Sequence, residues 1–332
     1  MVKTEFRQFE IPKELEVSIE KALQALSTTL QDSKKIAAAV KQMSDFYIAN
    51  PQAATPWNES WAVIAQLAYY LPLNYLRAQA VIDQGAMQGF FDGLKSSCEV
   101  GSGLGALSMP LSKKINVNAC LEISNKASQI HQKISKQSFQ ILKSEKDLRG
   151  DLLALSYVLT EVTHLEKYFD HFNAILVIEP STSQDGRYLM ELRERLIKKG
   201  FFIWAPCTHQ KNCPLLHESK KDWCHDRIHL KMPKWFLDIE ANLPFKNKTI
   251  TYSYLLARKD KKPQNTLKTR IVGDLLPEKG KTRIMVCRQD KREFLSWLSK
   301  DKLEVELYRG DLLDLTQFDL EEKSNELRIK KN

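Results

Sequence analysis

The chain has 332 residues, of which 43% are apolar and 27% are charged, and it contains only 12 Gly and 12 Pro. This composition excludes a disordered or fibrous protein and is sufficient to bury a sizeable core. The longest apolar runs, such as 174–178, are far shorter than the roughly twenty residues of a membrane-spanning helix. The first ten residues carry both charge signs and no apolar segment, which predicts neither a secretory signal nor a transit peptide and therefore a cytoplasmic protein.

Positive charge is concentrated in the last third of the chain. The formal net charge is +9, and residues 246–292 alone hold 14 Lys or Arg against 4 Asp or Glu. Such a local excess favours a nucleic-acid surface over a solvated basic loop that only confers solubility. The residues predicted to contact phosphate are Lys259, Lys261, Lys262, Lys268, Arg270 and Arg283.

Residues 1–90 are predicted to form a helical N-terminal domain. Apolar residues recur at helical spacing from Leu15 to Leu30 and from Ile36 to Tyr47, and a further helix is predicted to begin near Trp57. The aromatic residues of this region follow the apolar stripe, so we expect them to lie in the core rather than around a ligand. They are Trp57, Trp61, Tyr69, Tyr70 and Tyr75.

Residues 91–262 alternate short apolar runs with helical segments, which is typical of a parallel sheet covered by helices in an α/β domain. The predicted strands are Ser97–Val100, Val117–Leu121, Phe139–Leu142, Leu152–Tyr157, Ala174–Ile178 and Phe201–Trp204. A helix is predicted at Gly186–Lys199, and Ile250–Ala257 is predicted to add an edge strand. Residues 263–332 contain three β-like runs, Arg270–Leu276, Thr282–Val286 and Leu303–Tyr308, which predict a small basic β-rich region.

A glycine-rich loop follows the first predicted strand of this domain. Its candidate cofactor-binding residues are Glu99, Gly101, Ser102, Gly103 and Gly105, with Glu122 at the end of the second strand. Glycines let the backbone approach a nucleotide-type cofactor closely, and an acid at the second strand end can accept hydrogen bonds from both ribose hydroxyls. The glycine spacing also fits a nicotinamide dinucleotide, and a turn that binds nothing is the structural alternative.

Two features favour S-adenosylmethionine as the ligand of this loop. A carboxylate at Glu99 can face the positively charged amino-acid end of that cofactor, whereas it would repel a pyrophosphate. The apolar run Ile250–Ala257, which follows a long excursion of the chain, also matches the extra antiparallel strand of a methyltransferase sheet.

Four of the six cysteines suggest a metal site. Cys207, Cys213 and Cys224 lie within eighteen residues, and 62 residues separate Cys224 from Cys287. In a reduced compartment such thiols favour metal binding over disulfides. Either Cys287 or a nearby histidine would complete a set of four donors, and the spacing alone does not distinguish zinc from an iron–sulfur cluster. The available histidines are His209, His217, His225 and His229.

The cysteine segment also carries a family resemblance. The chain contains Val177-Ile-Glu-Pro-Ser-Thr-Ser-Gln-Asp-Gly186, Ala205-Pro-Cys-Thr-His-Gln-Lys-Asn-Cys-Pro-Leu215, Asp222-Trp-Cys-His225 and Tyr308-Arg-Gly-Asp311. These motifs resemble the ribosomal small-subunit-associated methyltransferase-like family, which includes bacterial members and mitochondrial small-subunit assembly factors. The usual Cys-Pro-His is Cys-Thr-His here, and the usual Gly-Thr-Pro after the glutamate is Ser-Thr-Ser.

The resemblance implies a Rossmann-like fold of the class I S-adenosylmethionine-dependent methyltransferases. It also implies that the protein binds small-subunit ribosomal RNA. It further implies a 4Fe-4S cluster held by the cysteines that match Cys207, Cys213, Cys224 and Cys287. We expect the ribosomal small subunit as partner, no membrane, and a monomer.

Two functions remain open from the sequence. One is an RNA methyltransferase; the other is a non-catalytic assembly or binding factor of the small ribosomal subunit. The stretch Ala154-Leu-Ser-Tyr-Val-Leu-Thr160 lacks the Asp/Asn-Pro-Pro-Tyr/Phe clamp of base-nitrogen methyltransferases, and no cysteine outside the predicted cluster is placed as a nucleophile. No catalytic residue is therefore predicted. A nicotinamide-dependent oxidoreductase fits the glycines but not the basic last third.

Overall fold

The computed structural model describes residues 2–3, 6–51, 53–159, 162–261, 268–288, 290–324 and 326–330. The helices are α1 (Lys13–Gln24), α2 (Ser33–Ala49), α3 (Ser60–Ala65), α4 (Leu71–Met87), α5 (Ser108–Leu111), α6 (Asn125–Ser135), α7 (Ser183–Lys198), α8 (Pro214–His217) and α9 (Lys234–Ala241). A π-helical turn at Gln66–Tyr70 joins α3 to α4, and 3₁₀ turns lie at Glu145–Asp147, Thr163–His171, Ser299–Asp301 and Leu315–Gln317.

The strands begin with β1 (Val2–Lys3), β2 (Gln8–Glu10), β3 (Ser96–Val100), β4 (Asn116–Leu121), β5 (Gln140–Leu142), β6 (Leu152–Ser156), β7 (Ala174–Glu179), β8 (Phe202–Ala205), β9 (Asp226–Lys231) and β10 (Thr249–Arg258). They continue with β11 (Lys268–Ile271), β12 (Leu276–Glu278), β13 (Lys281–Cys287), β14 (Glu293–Leu298), β15 (Val305–Glu306), β16 (Leu312–Asp314), β17 (Leu320–Lys323) and β18 (Glu326–Ile329).

The chain divides into two compact units. The first unit is formed by Gln8–Ile175 and Ile228–Ile250, and the second by Met1–Arg7, Leu176–Arg227 and Thr251–Asn332. The sequence-based division at residues 90 and 262 stays a prediction.

The first unit combines the N-terminal helices with a parallel sheet. Strands β5, β4, β3 and β6 are neighbours in that order, and every pairing among them is parallel. In β6, four of the five residues are buried, which is the pattern expected of an interior strand covered on both faces. The predicted helices are confirmed, with Leu15, Ile19 and Leu23 buried on α1 and Ile36, Val40 and Met43 buried on α2.

The second unit contains the antiparallel strand β10, whose position also identifies the fold. In it β10 neighbours β7 and pairs antiparallel with β8, Leu256 lying opposite Ala205. The predicted position of this run at a sheet edge is wrong, because β10 is flanked on both sides and is buried over most of its length. Parallel strands in the order β5, β4, β3, β6, together with one antiparallel strand between β7 and β8, define the Rossmann-like fold of class I S-adenosylmethionine-dependent methyltransferases.

The C-terminal part of the second unit forms its own sheet, in the order β16, β11, β13, β14, β18, β17, with β12 paired to β13. Its core includes Ile271, Ile284, Leu295 and Trp297. Of the three predicted runs, the last is a strand only at Val305–Glu306, which pairs in parallel with Val2–Lys3. The β-rich character of the region is confirmed, although β14, β16, β17 and β18 were not predicted; three of them have only three or four residues, too short for a period to stand out.

In the described part of the chain, no helix is both long enough and apolar enough to cross a membrane.

Candidate functional site

The glycine loop connects β3 to α5 in the first unit. Gly101, Gly103 and Gly105 have φ angles of +68°, +49° and +81°, a region that side-chain-bearing residues rarely adopt. Packing adds a second constraint, because a Cβ at Gly105 would lie 2.1 Å from Nε2 of His131, and one at Gly101 would lie 2.9 Å from Cγ2 of Val158. The loop therefore requires glycine both for its backbone and for its neighbours.

Glu122 reaches this loop from the end of the adjacent strand. Val100 lies opposite Leu121 in the parallel pairing of β3 with β4, so the two strands end side by side. One Glu122 carboxylate oxygen accepts a hydrogen bond from the Gly103 N–H at 2.9 Å, and the other accepts from the Ser124 N–H at 2.9 Å. The predicted acidic residue and the glycine backbone are thus in direct contact.

Two polar residues next to the loop, Glu99 and Ser102, are buried. Glu99 is 1% exposed, and burial raises the pKa of its carboxyl to about 8, against hydrogen bonds to Ser108 that lower it. Among the described residues, no group hydrogen-bonds the Glu99 Oε2. Buried polar atoms in native proteins are nearly always paired, so this oxygen suits a polar ligand.

Sequence reasoning missed two apolar residues at this site. Ile123, directly after Glu122, is 87% exposed, although a β-branched residue after a strand gives no sequence sign of exposure. Trp57 was predicted to lie in the core, and Tyr69 and Tyr75 do, but the indole of Trp57 is partly exposed beside Gly103. The helical period identified the buried apolar residues of the helices correctly, but Trp57 precedes α3 and is not part of a helix.

The four predicted metal-binding cysteines line one cavity in the second unit. Cys207 follows β8, Cys213 precedes α8, Cys224 precedes β9, and Cys287 ends β13. The cavity is also lined by His209, Arg193 and Arg270. The Cys287 Sγ lies 3.5 Å from the Nε2 of His209. The cavity thus brings together cysteines that are far apart in sequence, and their role in metal binding stays a prediction.

Two buried guanidinium groups border the cysteine cavity. Arg193, on α7 and 2% exposed, donates from Nε to the Cys207 Sγ at 3.1 Å, and from Nη2 to the carbonyls of His209 and Lys211 at 2.9 and 2.7 Å. Arg270, also 2% exposed, forms an ion pair with Asp226. The cavity wall therefore carries positive charge that thiolates would balance.

Three of the cavity cysteines have raised pKa values. Burial, followed by the proximity of the Cys207 thiol, raises the pKa of Cys213 to about 11, and burial raises the pKa of Cys224 to about 12. The pKa of Cys287 is also raised by burial and by the neighbouring thiols. Within the described residues, no group of three or more His, Cys, Asp or Glu side chains is arranged to hold a metal ion.

The chain matches the model of one protein family over residues 95–310, and that family is described as mitochondrial small ribosomal subunit Rsm22. The chain belongs to this family. The Rsm22 match covers the glycine loop, Glu122 and all four cysteines of the cavity, so both candidate sites lie within the part of the chain that matches the family. Trp57 lies outside it.

Several solved structures share similarity with part of this Rsm22-family chain. The magnesium protoporphyrin IX methyltransferase of Synechocystis PCC 6803, solved with S-adenosylhomocysteine, is 14% identical over 57% of this chain and 85% of its own, with a TM-score of 0.36. TrmK of M. capricolum is 12% identical over 56% of this chain and 70% of its own, with a TM-score of 0.34. The 16S rRNA methylase ArmA is 13% identical over 50% and 90%, with a TM-score of 0.34. Similarity at this level does not indicate what the chain binds. No curated protein sequence matches it.

The predicted phosphate-contacting residues differ in their surroundings. Lys259, Lys261 and Lys268 are exposed, whereas Arg283 lies over the Phe294 ring with its Nε 2.7 Å from a Glu278 oxygen. Lys262 lies outside the described residues. The prediction for Arg270 is wrong, because its side chain is buried in the ion pair with Asp226 and does not reach solvent.

Proposed function

We propose that the chain binds S-adenosylmethionine at the glycine loop and acts on ribosomal RNA of the small subunit. The observation that carries the proposal is the contact between Glu122 and the Gly103 N–H at 2.9 Å. This contact supports the proposal because an adenosine needs a carboxylate that can accept from its ribose hydroxyls beside a backbone without a side chain. The unpartnered Glu99 Oε2 is suited to the charged amino-acid end of the cofactor, and the buried Ser102 hydroxyl lies on the same loop.

The same geometry argues against a nicotinamide dinucleotide. A pyrophosphate site uses the N-terminus of a helix that follows the glycine loop directly. Here the loop leads into α5, which has only four residues, and the buried Glu99 carboxylate stands at the start of the loop. Both features suit a cationic ligand better than a pyrophosphate.

The RNA part of the proposal is supported by the family and by exposed charge. The family description refers to the small ribosomal subunit, and Lys259, Lys261 and Lys268 of the second unit are exposed. Lysines that reach solvent can neutralise phosphates and release counterions. We place the phosphate contacts at these three lysines, with Arg283 as a fourth, partly exposed candidate.

We further propose that Cys207, Cys213, Cys224 and Cys287 hold a 4Fe-4S cluster. The donor set fits, because four thiols line one cavity and Arg193 and Arg270 supply positive charge for the anionic thiolates. A zinc ion held by the same four thiols is the alternative. When bound, the cluster would crosslink the cysteine segment to β13 and supply a one-electron centre.

Methyl transfer is the activity we propose first, with a non-catalytic assembly role as the alternative. The alternative is favoured by the end of β6, where Ser156, Tyr157 and Val158 stand in place of a base-binding clamp. Tyr157 has a φ of +59°, an unusual conformation for a bulky residue. No side chain at this position is assigned a catalytic role.

The experiment that separates the two functions is mass spectrometry of small-subunit RNA from cells without the gene. Cells that carry the wild-type chain or Glu122→Ala serve as comparisons. A methylated nucleotide that disappears with the gene, returns with the wild type and stays absent with the variant would establish methyl transfer. Unchanged RNA with accumulating subunit precursors that the variant corrects would establish assembly. If the loss of the gene changes neither the methylation of the RNA nor the level of subunit precursors, the proposal is overturned.

A further inference from the structure

The indole of Trp57 borders the open face of the glycine loop. A Cβ built on Gly103 would lie 4.0 Å from Cζ2 of Trp57, and apart from its chain neighbours no other described atom lies within that distance. The same residue, Gly103, donates its N–H to Glu122 at 2.9 Å. A molecule that lies against Gly103 and Glu122 therefore meets the indole at ordinary van der Waals distance.

The segment that carries Trp57 is held in place by both of its neighbours. On one side the hydroxyls of Tyr47 and Thr55 are hydrogen bonded at 2.7 Å, which ties the segment to α2. On the other side the Nζ of Lys126, in α6, donates to the carbonyl of Asn58 at 3.4 Å. The backbone N–H of Trp57 donates to the Thr55 carbonyl at 2.9 Å, which closes a tight turn just before the indole.

Trp57 is only partly buried in the N-terminal helical region. Trp57 precedes α3 and contributes only partly to the core, whereas Tyr69 and Tyr75 on the following helices are buried. Large aromatic side chains that are left partly exposed on an anchored segment are suited to bind a ligand, because little conformational entropy is lost on contact.

We infer that Trp57 is a cofactor-binding residue, supplied by the helical N-terminal region, that covers S-adenosylmethionine where it lies against Gly103 and Glu122. The inference rests on the proposed function. It extends that function to a residue outside the family match, which begins only at residue 95. The indole buries apolar surface of the ligand, and its electron-rich face is suited to the positive charge of the sulfonium. The helical region thus takes part in cofactor binding and is not only a structural domain.

The test uses the full chain and S-adenosylhomocysteine, titrated by calorimetry and by tryptophan fluorescence. About 55 Å² of apolar contact corresponds to about a tenfold change in Kd, so Trp57→Ala is expected to weaken binding about tenfold or more. Trp57→Phe keeps an aromatic ring and is expected to retain most affinity while losing the fluorescence change. Trp61→Phe, four residues further along the chain, is the matched control and is expected to retain both.

The outcomes distinguish this inference from the proposed function. Wild-type chain that binds no S-adenosylhomocysteine in the calorimeter overturns both. Wild-type chain that binds, with Trp57→Ala binding equally well, overturns only the role of Trp57. If Trp57→Ala does not fold, the fluorescence of Trp57→Phe decides: a ligand-induced change as large as that of wild type contradicts the inference, and its loss supports it.

Discussion

Arg270 and Asp226 form an ion pair in the interior of the second unit, where their side chains are 3% and 1% exposed. Arg7 approaches the same carboxylate, with its Nη2 4.0 Å away, and binds Asp311 through Nε at 2.9 Å. Residues from the start of the chain and from β9 and β11 therefore share one buried charge network. A substitution within it leaves a charge without a partner.

We expect Arg270→Met to destabilise the second unit by about 3 to 5 kcal/mol, because it leaves the buried Asp226 carboxylate without its closest partner. Arg283→Met removes a partly exposed cation and is expected to cost about 1 kcal/mol or less. Thermal unfolding followed by circular dichroism measures both. Equal midpoints for the two variants would show that Arg270 is not held as described.

Loss of the distant cysteine is expected to abolish metal binding. Cys287→Ser should reduce the iron and sulfide of anaerobically purified chain to background, since a cluster needs all four thiolates. Cys98→Ala, a buried core cysteine of β3, is the control and should leave the metal content unchanged. Metal retained in Cys287→Ser would instead assign the fourth donor to a histidine such as His209, whose Nε2 is 3.5 Å from the Cys287 thiol.

Cofactor binding is expected to release a proton from Glu99. Burial raises the pKa of this carboxyl to about 8 in the free chain, so it is mostly protonated at pH 7, and a cationic ligand favours its ionised form. Affinity for S-adenosylmethionine should therefore rise between pH 6 and pH 8. In the free chain the raised pKa stabilises the fold below the ordinary carboxyl pKa, and this contribution is lost as the pH rises through about 8.

Calorimetry in two buffers of different ionisation enthalpy measures the released proton. Glu99→Gln, which cannot ionise, should show neither the proton release nor the pH dependence. If the wild type binds with the same affinity across this pH range, Glu99 does not face the ligand charge.

Removal of the ribose acceptor is expected to weaken the cofactor complex. Glu122→Ala should cost about 1 to 3 kcal/mol of binding free energy, the range for loss of a hydrogen-bonded partner in a site. Glu14→Ala, an exposed carboxylate on α1, is the control and should bind as wild type. Tight binding of NADH with no response to S-adenosylhomocysteine would contradict the cofactor assignment.

RNA binding is expected to depend on salt and on the exposed lysines of the second unit. Each change of Lys259, Lys261 or Lys268 to Gln leaves one phosphate without its cation and should reduce the logarithmic salt slope by about 0.7 to 0.9. The same changes at Lys13, Lys21 and Lys34 of the first unit are the matched control and should leave the slope unchanged. Binding that does not respond to salt would argue against an RNA surface.

The sequence by itself predicted the helices of the first unit, many of the strands and the position of the glycine loop. Hydrophobic period distinguishes helices from strands because it depends only on neighbouring residues, and the spacing of Gly101, Gly103 and Glu122 follows from two consecutive strands that end at one edge. The prediction that all four cysteines lie together came from the family resemblance. The domain boundaries, the monomeric state and the cytoplasmic location remain predictions.

Only the tertiary structure decided which polar and aromatic residues face solvent. Arg270 lies in a strongly basic stretch, yet it is buried because Asp226, 44 residues earlier, supplies a partner inside the core. Trp57 fits the apolar pattern of the predicted helix, yet it lies before α3 and beside Gly103, because Tyr47 and Lys126 hold its segment there. Both placements depend on contacts between residues distant in sequence, and a local pattern contains no information about such partners.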